Sequence, residues 1–246
     1  MNKTALATIG ALFGAIAFAA PAKAFVYLDG GVAGVAPSGS TDKNDLFPGL
    51  YGGGPYPSDT QPGFYFGDLS NTTTPAVTLG ALKLSSTSIV TFTYLGKEAG
   101  WTNSFQIDTG AGYTPIASTA GKPTGVSITP IGSYTFSAGV IPFLFLTTAG
   151  GTGMAENGGA AVGGFASQSS IFLTFLDAAG KPTTASSGNV VDVFFDDSGA
   201  FDDDNHDDMG IRITVTEVPV PAALPIIAAA FAGFGFAGFR SRRPVA

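Results

Sequence analysis

The chain has 246 residues, of which 35 are glycine and 16 are proline, and only 12% are charged. It contains no cysteine, which excludes disulfide scaffolds, thiolate zinc sites and cysteine nucleophiles. A mean hydropathy of +0.31 excludes an intrinsically disordered chain. An isoelectric point near 4.4 argues against nucleic-acid binding, because lysine and arginine must neutralise phosphates in such complexes.

Residues 1–24 predict a secretory signal peptide. Lys3 provides the positive n-region, residues 5–20 form an apolar run without a charge, and Ala22-Lys23-Ala24 forms an A-x-A-like cleavage site. We therefore expect signal peptidase to remove this segment and the mature chain to begin at Phe25. An uncleaved N-terminal anchor is the alternative.

Residues 25–218 predict one all-β domain, because short strand signals recur between glycine, proline, serine and threonine, and no long stretch has helical spacing. The predicted strands are Phe25–Leu28, Phe64–Phe66, Val77–Leu84, Val90–Tyr94, Phe105–Ile107, Val126–Ile128, Tyr134–Phe136, Val140–Leu146, Ile171–Leu176, Val190–Phe195 and Ile211–Val215. About ten antiparallel strands in one domain predict a β-sandwich or jelly roll. We expect helices only at the two ends, as the signal helix and a C-terminal transmembrane helix.

Two glycine-rich stretches, residues 29–63 and 150–164, are predicted to be irregular surface loops. Binding loops are the alternative, because function concentrates in loops held by a rigid scaffold.

The predicted domain is strongly acidic. It has six basic side chains and all 18 acidic ones, a formal charge of −12. Such a charge repels other polyanions, so adhesion to DNA or to an anionic lipid surface would need a bridging cation.

The acidic residues concentrate near the end of this domain. Eight aspartates lie between residues 192 and 208, and most of them lie in the loop between the strand ending at Phe195 and the strand beginning near Gly210. Crowded carboxylates repel one another unless a cation or water screens them, and Ca²⁺ takes six to eight oxygen ligands. The predicted ligands are Asp196, Asp197, Asp202, Asp204, Asp207 and Asp208.

The spacing of this loop is not that of an EF-hand, because histidine stands at the fifth position and neither the glycine at six nor the glutamate at twelve is present. His206 is a poor Ca²⁺ ligand and is predicted to point to solvent. A solvated acidic loop without metal is the alternative.

Residues 195–213, with their Asp-rich loop leading into a final strand, resemble the end of many β-domains that carry PEP-CTERM sorting signals. Similar endings occur in a domain of calcium-dependent surface proteins, so the resemblance favours Ca²⁺ and implies no catalysis. Residues 94–105 resemble a recurring element of the same proteins. Its two glycines are expected at turns, and Trp101 is expected to pack in the core or at an edge.

The C-terminus combines a proline motif, an apolar run at residues 223–239 and an arginine cluster. As a helix, residues 222–239 would be about 27 Å long at ~1.5 Å per residue, close to the ~30 Å core of a bilayer. Basic residues beyond such a helix keep that end in the cytoplasm.

This arrangement resembles the VPxPA-type subclass of PEP-CTERM signals of Gram-negative bacteria, apart from Val220 where leucine is more usual. The resemblance implies that an exosortase, a membrane protease, cleaves near the motif and passes the protein to the cell exterior. The matching residues are Val218, Pro219, Pro221, Ala222, Arg240, Arg242 and Arg243. A plain single-pass anchor is the alternative.

The sequence predicts no enzyme and no catalytic residue. No G-x-S-x-G motif occurs, and the neighbouring aspartates would favour the imidazolium form of His206, the one histidine available as a base. Glu98 and Glu156 have no evident acidic partner for glycoside hydrolysis. A secreted hydrolase is therefore the least favoured class.

We accordingly expect an exported structural protein of the cell surface or the exopolysaccharide-rich biofilm matrix, stabilised by Ca²⁺. Its expected partners are signal peptidase, an exosortase and exopolysaccharide, with no nucleic acid. It would cross the inner membrane, remain anchored transiently by the C-terminal helix, and end at the surface or outside the cell. The alternative is a Ca²⁺-dependent carbohydrate-binding or adhesion module, with sugar stacking on Tyr51, Tyr56, Tyr65 or Trp101.

Overall fold

The computed structural model describes residues 23–35, 50–51, 62–66, 80–98, 100–150, 153–159, 162–163, 171–197 and 206–219. The chain forms two compact units, residues 1–216 and 217–246, and only residues 217–219 of the second are described. The strands are β1 (Val26–Asp29), β2 (Val32–Val35), β3 (Pro62–Tyr65), β4 (Ala81–Leu84), β5 (Ser88–Lys97), β6 (Thr102–Asp108), β7 (Tyr113–Ser118), β8 (Gly125–Phe136), β9 (Gly139–Val140), β10 (Phe143–Ala149), β11 (Gly153–Glu156), β12 (Val162–Gly163), β13 (Ile171–Leu176), β14 (Pro182–Thr183), β15 (Ser187–Gly188), β16 (Val190–Phe195) and β17 (Met209–Glu217).

The strands form three sheets in which the described pairs are antiparallel, which confirms the predicted all-β class. A four-stranded sheet has the order β15-β1-β4-β9, and a five-stranded sheet has the order β12-β11-β10-β6-β7. The third sheet has the order β2-β3-β13-β16-β17-β5-β8, with β14 paired to β13.

One hydrophobic core receives side chains from all three sheets. Strand alternation explains it, since Val90, Phe92 and Tyr94 on β5 are each at most 1% exposed while Thr91 and Thr93 between them are less buried. Leu82 of the first sheet and Phe145 of the second belong to the same core.

The central strands β13 and β16 are buried on both faces, as their largely apolar sequences predict, with one polar residue in each, Thr174 and Asp192. On β13, Ile171, Leu173 and Phe175 belong to the main core. Phe172 and Leu176 on the other face belong to a smaller cluster, whose further members are Tyr51, Tyr65, Leu95 and Phe194.

The strand predicted over Val140–Leu146 is wrong as a single element. Gly139–Val140 forms β9 in the four-stranded sheet, and Phe143–Ala149 forms β10 in the five-stranded sheet. Pro142 lies between them, and a proline has no N–H to continue a ladder.

The glycine-rich stretches are also more regular than predicted. The first contains β2, and the second contains β11 and β12, whose backbones pair with neighbouring strands. Gly96 lies within β5, where the register with β8 shifts, and not at a turn. Backbone pairing needs no particular side chain, so composition alone does not reveal such strands.

Candidate functional site

Four of the six predicted metal ligands lie together where β16 ends and β17 begins. Phe195 pairs with Met209, so the two residues after β16 and the two before β17 leave the sheet side by side. The four are Asp196, Asp197, Asp207 and Asp208, here called the acidic cluster. The other two predicted ligands, Asp202 and Asp204, lie outside the described residues.

The acidic cluster is buried. The exposed fractions are 0% for Asp196, 6% for Asp197, 0% for Asp207 and 5% for Asp208. These four residues therefore do not form the solvated loop considered as the alternative. Charged carboxylates at this depth need compensating partners, because leaving water costs several kcal/mol per ion.

His206 is also fully buried, so the prediction that it points to solvent is wrong. Its ring contacts the edge of Tyr65, with centroids 5.4 Å apart and planes at 76°. Its backbone φ of 52° lies in the left-handed region, which histidine tolerates better than most residues. The backbone conformation at His206, just before β17, thus places the imidazole in a buried position.

Backbone and amide groups hold the acidic cluster in place. The Asn103 Nδ2 donates to Asp197 Oδ2 at 2.6 Å, and the Asp197 N–H donates to Asp208 Oδ2 at 2.7 Å. The Glu98 N–H donates to the Asp207 carbonyl at 2.9 Å. Burial raises the pKa of Asp197 and the nearby Asp196 charge raises it further, while hydrogen bonds with the Asn103 and Asp208 side chains and the Lys97 charge oppose that rise.

Neutral oxygens face the same region from the five-stranded sheet. Asn103 on β6 and Thr147 on β10 are cross-strand partners, 0% and 4% exposed. Within the described residues, no hydrogen bond reaches the buried Asn103 Oδ1 or Thr147 Oγ1, nor the carboxylate Oε2 of Glu98 just after β5 in the largest sheet. Buried polar atoms are rarely left so, and an unaccounted ion or water is a usual explanation.

The donor chemistry fits a hard cation such as Ca²⁺, which binds carboxylate, amide and hydroxyl oxygens. Among the residues that the structure describes, however, no group of three acidic or histidine side chains is arranged to hold a metal ion. A complete ligand set would therefore need other oxygens besides those of the acidic cluster.

Asp192 belongs to a buried ion pair separate from the acidic cluster. It lies on the face of β16 opposite to Val191 and Val193, which belong to the main core. Its Oδ1 accepts from Arg212 Nε at 2.7 Å, and its Oδ2 accepts from Arg212 Nη2 at 2.8 Å and from the Tyr51 hydroxyl at 2.6 Å. Burial raises the pKa of Tyr51 well above its ordinary value, and the Asp192 charge adds to the rise. Because Arg212 and Tyr51 satisfy both oxygens of the Asp192 carboxylate, this ion pair has a structural role.

Two of the four proposed sugar-stacking residues are buried. Tyr51 and Tyr65 are 3% and 6% exposed, so that prediction is wrong for both, because they cover the second hydrophobic cluster. Tyr56 lies outside the described residues. Trp101 is 38% exposed and packs against Gly150, where an added Cβ would lie 2.2 Å from its ring.

A cavity of about 390 Å³ opens on the four-stranded sheet. Its charged lining is an ion pair between Lys83 Nζ and Asp29 Oδ2, and much of the remaining lining is glycine backbone. Outside this cavity lining, the Glu156 carboxylate accepts from the Tyr113 hydroxyl at 2.5 Å.

The predicted sorting motif begins at the domain end, where Val218 is 39% exposed and Pro219 is exposed. The predicted signal segment up to residue 22 and the predicted motif residues Pro221, Ala222, Arg240, Arg242 and Arg243 lie outside the described residues. Within the described ranges, no helix has the length and hydrophobicity needed to span a membrane.

Sequence reasoning missed Asn103 and Thr147. A sequence pattern could have identified them, because each lies two residues from a buried phenylalanine on its strand and so shares that residue's inward face. Asn103 precedes Phe105, and Thr147 follows Phe145. Comparison of the chain with protein-family models, with curated proteins and with solved structures finds no match.

Proposed function

We propose that this is an exported structural protein of the cell surface or biofilm matrix, whose β-sandwich domain is stabilised by Ca²⁺. Export rests on the signal-like N-terminus, and release by an exosortase rests on the VPxPA-type C-terminus. The exposed Val218 and Pro219 support this, because a protease needs an accessible chain beyond the last strand.

The observation that carries the Ca²⁺ proposal is the burial of four aspartates in the acidic cluster. The Lys97 charge lowers the pKa of Asp197, and buried carboxylates this close together favour a further cation among them. The Asp196 charge raises the pKa of Asp197, and a divalent cation removes this cost of ionising Asp197 by replacing its proton. Ca²⁺ is favoured over a transition metal because the surrounding donors are oxygens.

The same cation would join two sheets. Phe195 of β16 stacks on Phe145 of β10 with centroids 4.9 Å apart, so the sheets meet directly below the acidic cluster. One inward position further along, Asp197 meets Asn103 of β6. A cation binding carboxylates from one side and the Asn103 Oδ1 from the other would close this end of the sandwich.

A thermal melt of the mature protein in Ca²⁺ and in a chelator tests the proposal. At 100 times its dissociation constant a ligand adds ~2.7 kcal/mol, which for a domain of this size raises the Tm by roughly 5–10 °C. The variant Asp197→Asn/Asp208→Asn should lose this shift. The control Asp29→Asn, whose side chain is 58% exposed, should keep it. A parent Tm that does not respond to Ca²⁺ would contradict the metal proposal.

Ca²⁺-dependent carbohydrate binding is the second candidate, and the exposed Trp101 ring favours it. Trp101 lies two residues before Asn103, so an ordered cation would fix the segment that carries the ring. Retention on an exopolysaccharide column in Ca²⁺, lost in Trp101→Ala, would support this role. Equal retention of parent and variant would exclude Trp101 as the sugar platform.

A further inference from the structure

Two overlapping sequences meet the small-residue requirement of signal peptidase. Ala20-Pro21-Ala22 directs cleavage after Ala22, and Ala22-Lys23-Ala24 directs cleavage after Ala24. The sequence pattern does not decide between them, because both place alanine at the two critical positions. The two cleavage products differ in what remains of the fold, because residues 23–25 belong to it.

Ala24 is a core residue. It is 1% exposed and belongs to the main hydrophobic core together with Val26. Its carbonyl accepts a hydrogen bond from Asn189 Nδ2 at 2.7 Å, while the second contact of that amide, to the Val215 carbonyl, is longer at 3.3 Å. Loss of Ala24 would leave a gap in the core and remove the better acceptor of Asn189.

Ser85 forms hydrogen bonds with the backbone of Lys23 and Phe25. The Phe25 N–H donates to Ser85 Oγ at 3.0 Å, and the Ser85 N–H donates to the Phe25 carbonyl at 3.0 Å. Ser85 Oγ donates in turn to the Lys23 carbonyl at 3.4 Å. Cleavage after Ala24 would place a charged α-amino group beside the emptied core position, whereas a terminus at the exposed Lys23 is solvated.

We infer that signal peptidase cleaves after Ala22 and that the mature chain begins at Lys23, two residues before Phe25, the start expected from cleavage at Ala22-Lys23-Ala24. The inference rests on the proposed export. Cleavage precedes folding, so the fold does not direct the peptidase. Instead, a chain cut after Ala24 would lack part of its core.

The test uses the full-length chain expressed in a Gram-negative host, with N-terminal sequencing of the processed form after a short labelling pulse. Two reciprocal variants separate the sites. Ala20→Phe places a bulky residue at the outer critical position of the first site only, and Ala24→Leu blocks the second site only. The pulse reads processing directly, so a folding defect in Ala24→Leu does not obscure the result.

We expect the parent and Ala24→Leu to yield chains that begin at Lys23, and Ala20→Phe to lose most of that product. A parent that begins at Phe25, with processing abolished by Ala24→Leu, overturns the inference and leaves the export proposal intact. A parent that remains unprocessed overturns the signal peptide itself. The two failures are therefore distinguishable.

Discussion

Replacement of Arg212 by methionine should destabilise the domain strongly, because it leaves the buried Asp192 carboxylate without its cationic partner. Asp192 is 0% exposed and receives two hydrogen bonds from the Arg212 guanidinium. Removing one partner of a buried ion pair costs about 3–5 kcal/mol, since the remaining charge is left uncompensated. The Arg212 side chain is 29% exposed, so water can reach part of the vacated space and we expect the lower end, about 3 kcal/mol.

Urea unfolding of the mature protein measures this loss. Asp192→Asn/Arg212→Met is the matched control, because it removes the stranded charge while the amide oxygen still accepts from Tyr51. The double variant should recover part of the stability lost in Arg212→Met. If Arg212→Met costs below about 1 kcal/mol, the pair behaves like an exposed surface salt bridge and the reasoning is refuted.

Three further predictions concern other parts of the fold. Asn157→Ala should cost about 2 kcal/mol in urea unfolding, because the Leu82 N–H donates to the Asn157 amide oxygen and would be left buried without an acceptor, whereas the Leu82 and Ile141 carbonyls, to which the Asn157 amide also donates, each keep a backbone donor; a loss below about 1 kcal/mol would contradict this. Gly150→Ala should lower the Tm more than Gly110→Ala, since both have φ just above 100° but only the former meets the Trp101 ring; equal losses would assign the whole effect to backbone strain. Burial raises the pKa of Tyr94 to about 12, so the stability it contributes is present below the ordinary value of about 10 and is lost as pH rises through the folded value; alkaline unfolding of Tyr94→Phe should lack this component, and identical curves for parent and variant would refute it.

The strands with strong side-chain patterns could be predicted from the sequence. Alternation identified β5 and β17, and largely apolar runs identified β13 and β16 as buried on both faces. The weak point was Val140–Leu146, where a continuous apolar run concealed the change of sheet at Pro142. Short strands such as β11 and β12 pair through backbone groups, which leave little trace in composition.

The site was predicted in part. Crowding of like charges located the aspartates, because residues that are close in sequence are also close in space, where their charges repel. Their burial could not be read in the same way, since polar loops are ordinarily solvated and only the register of Phe195 with Met209 brings the two ends together under the sheet. Asn103 and Thr147 belong to other strands, so their place beside the cluster follows from tertiary structure.

Direct titration of the mature, metal-stripped protein with Ca²⁺, followed by calorimetry, tests the central claim. We predict a saturable Ca²⁺ site that disappears in Asp197→Asn/Asp208→Asn and persists in Asp29→Asn, because only the first variant removes buried carboxylates. Absence of saturable binding by the parent protein, or equal binding by the parent and Asp197→Asn/Asp208→Asn, would contradict a cation at the acidic cluster.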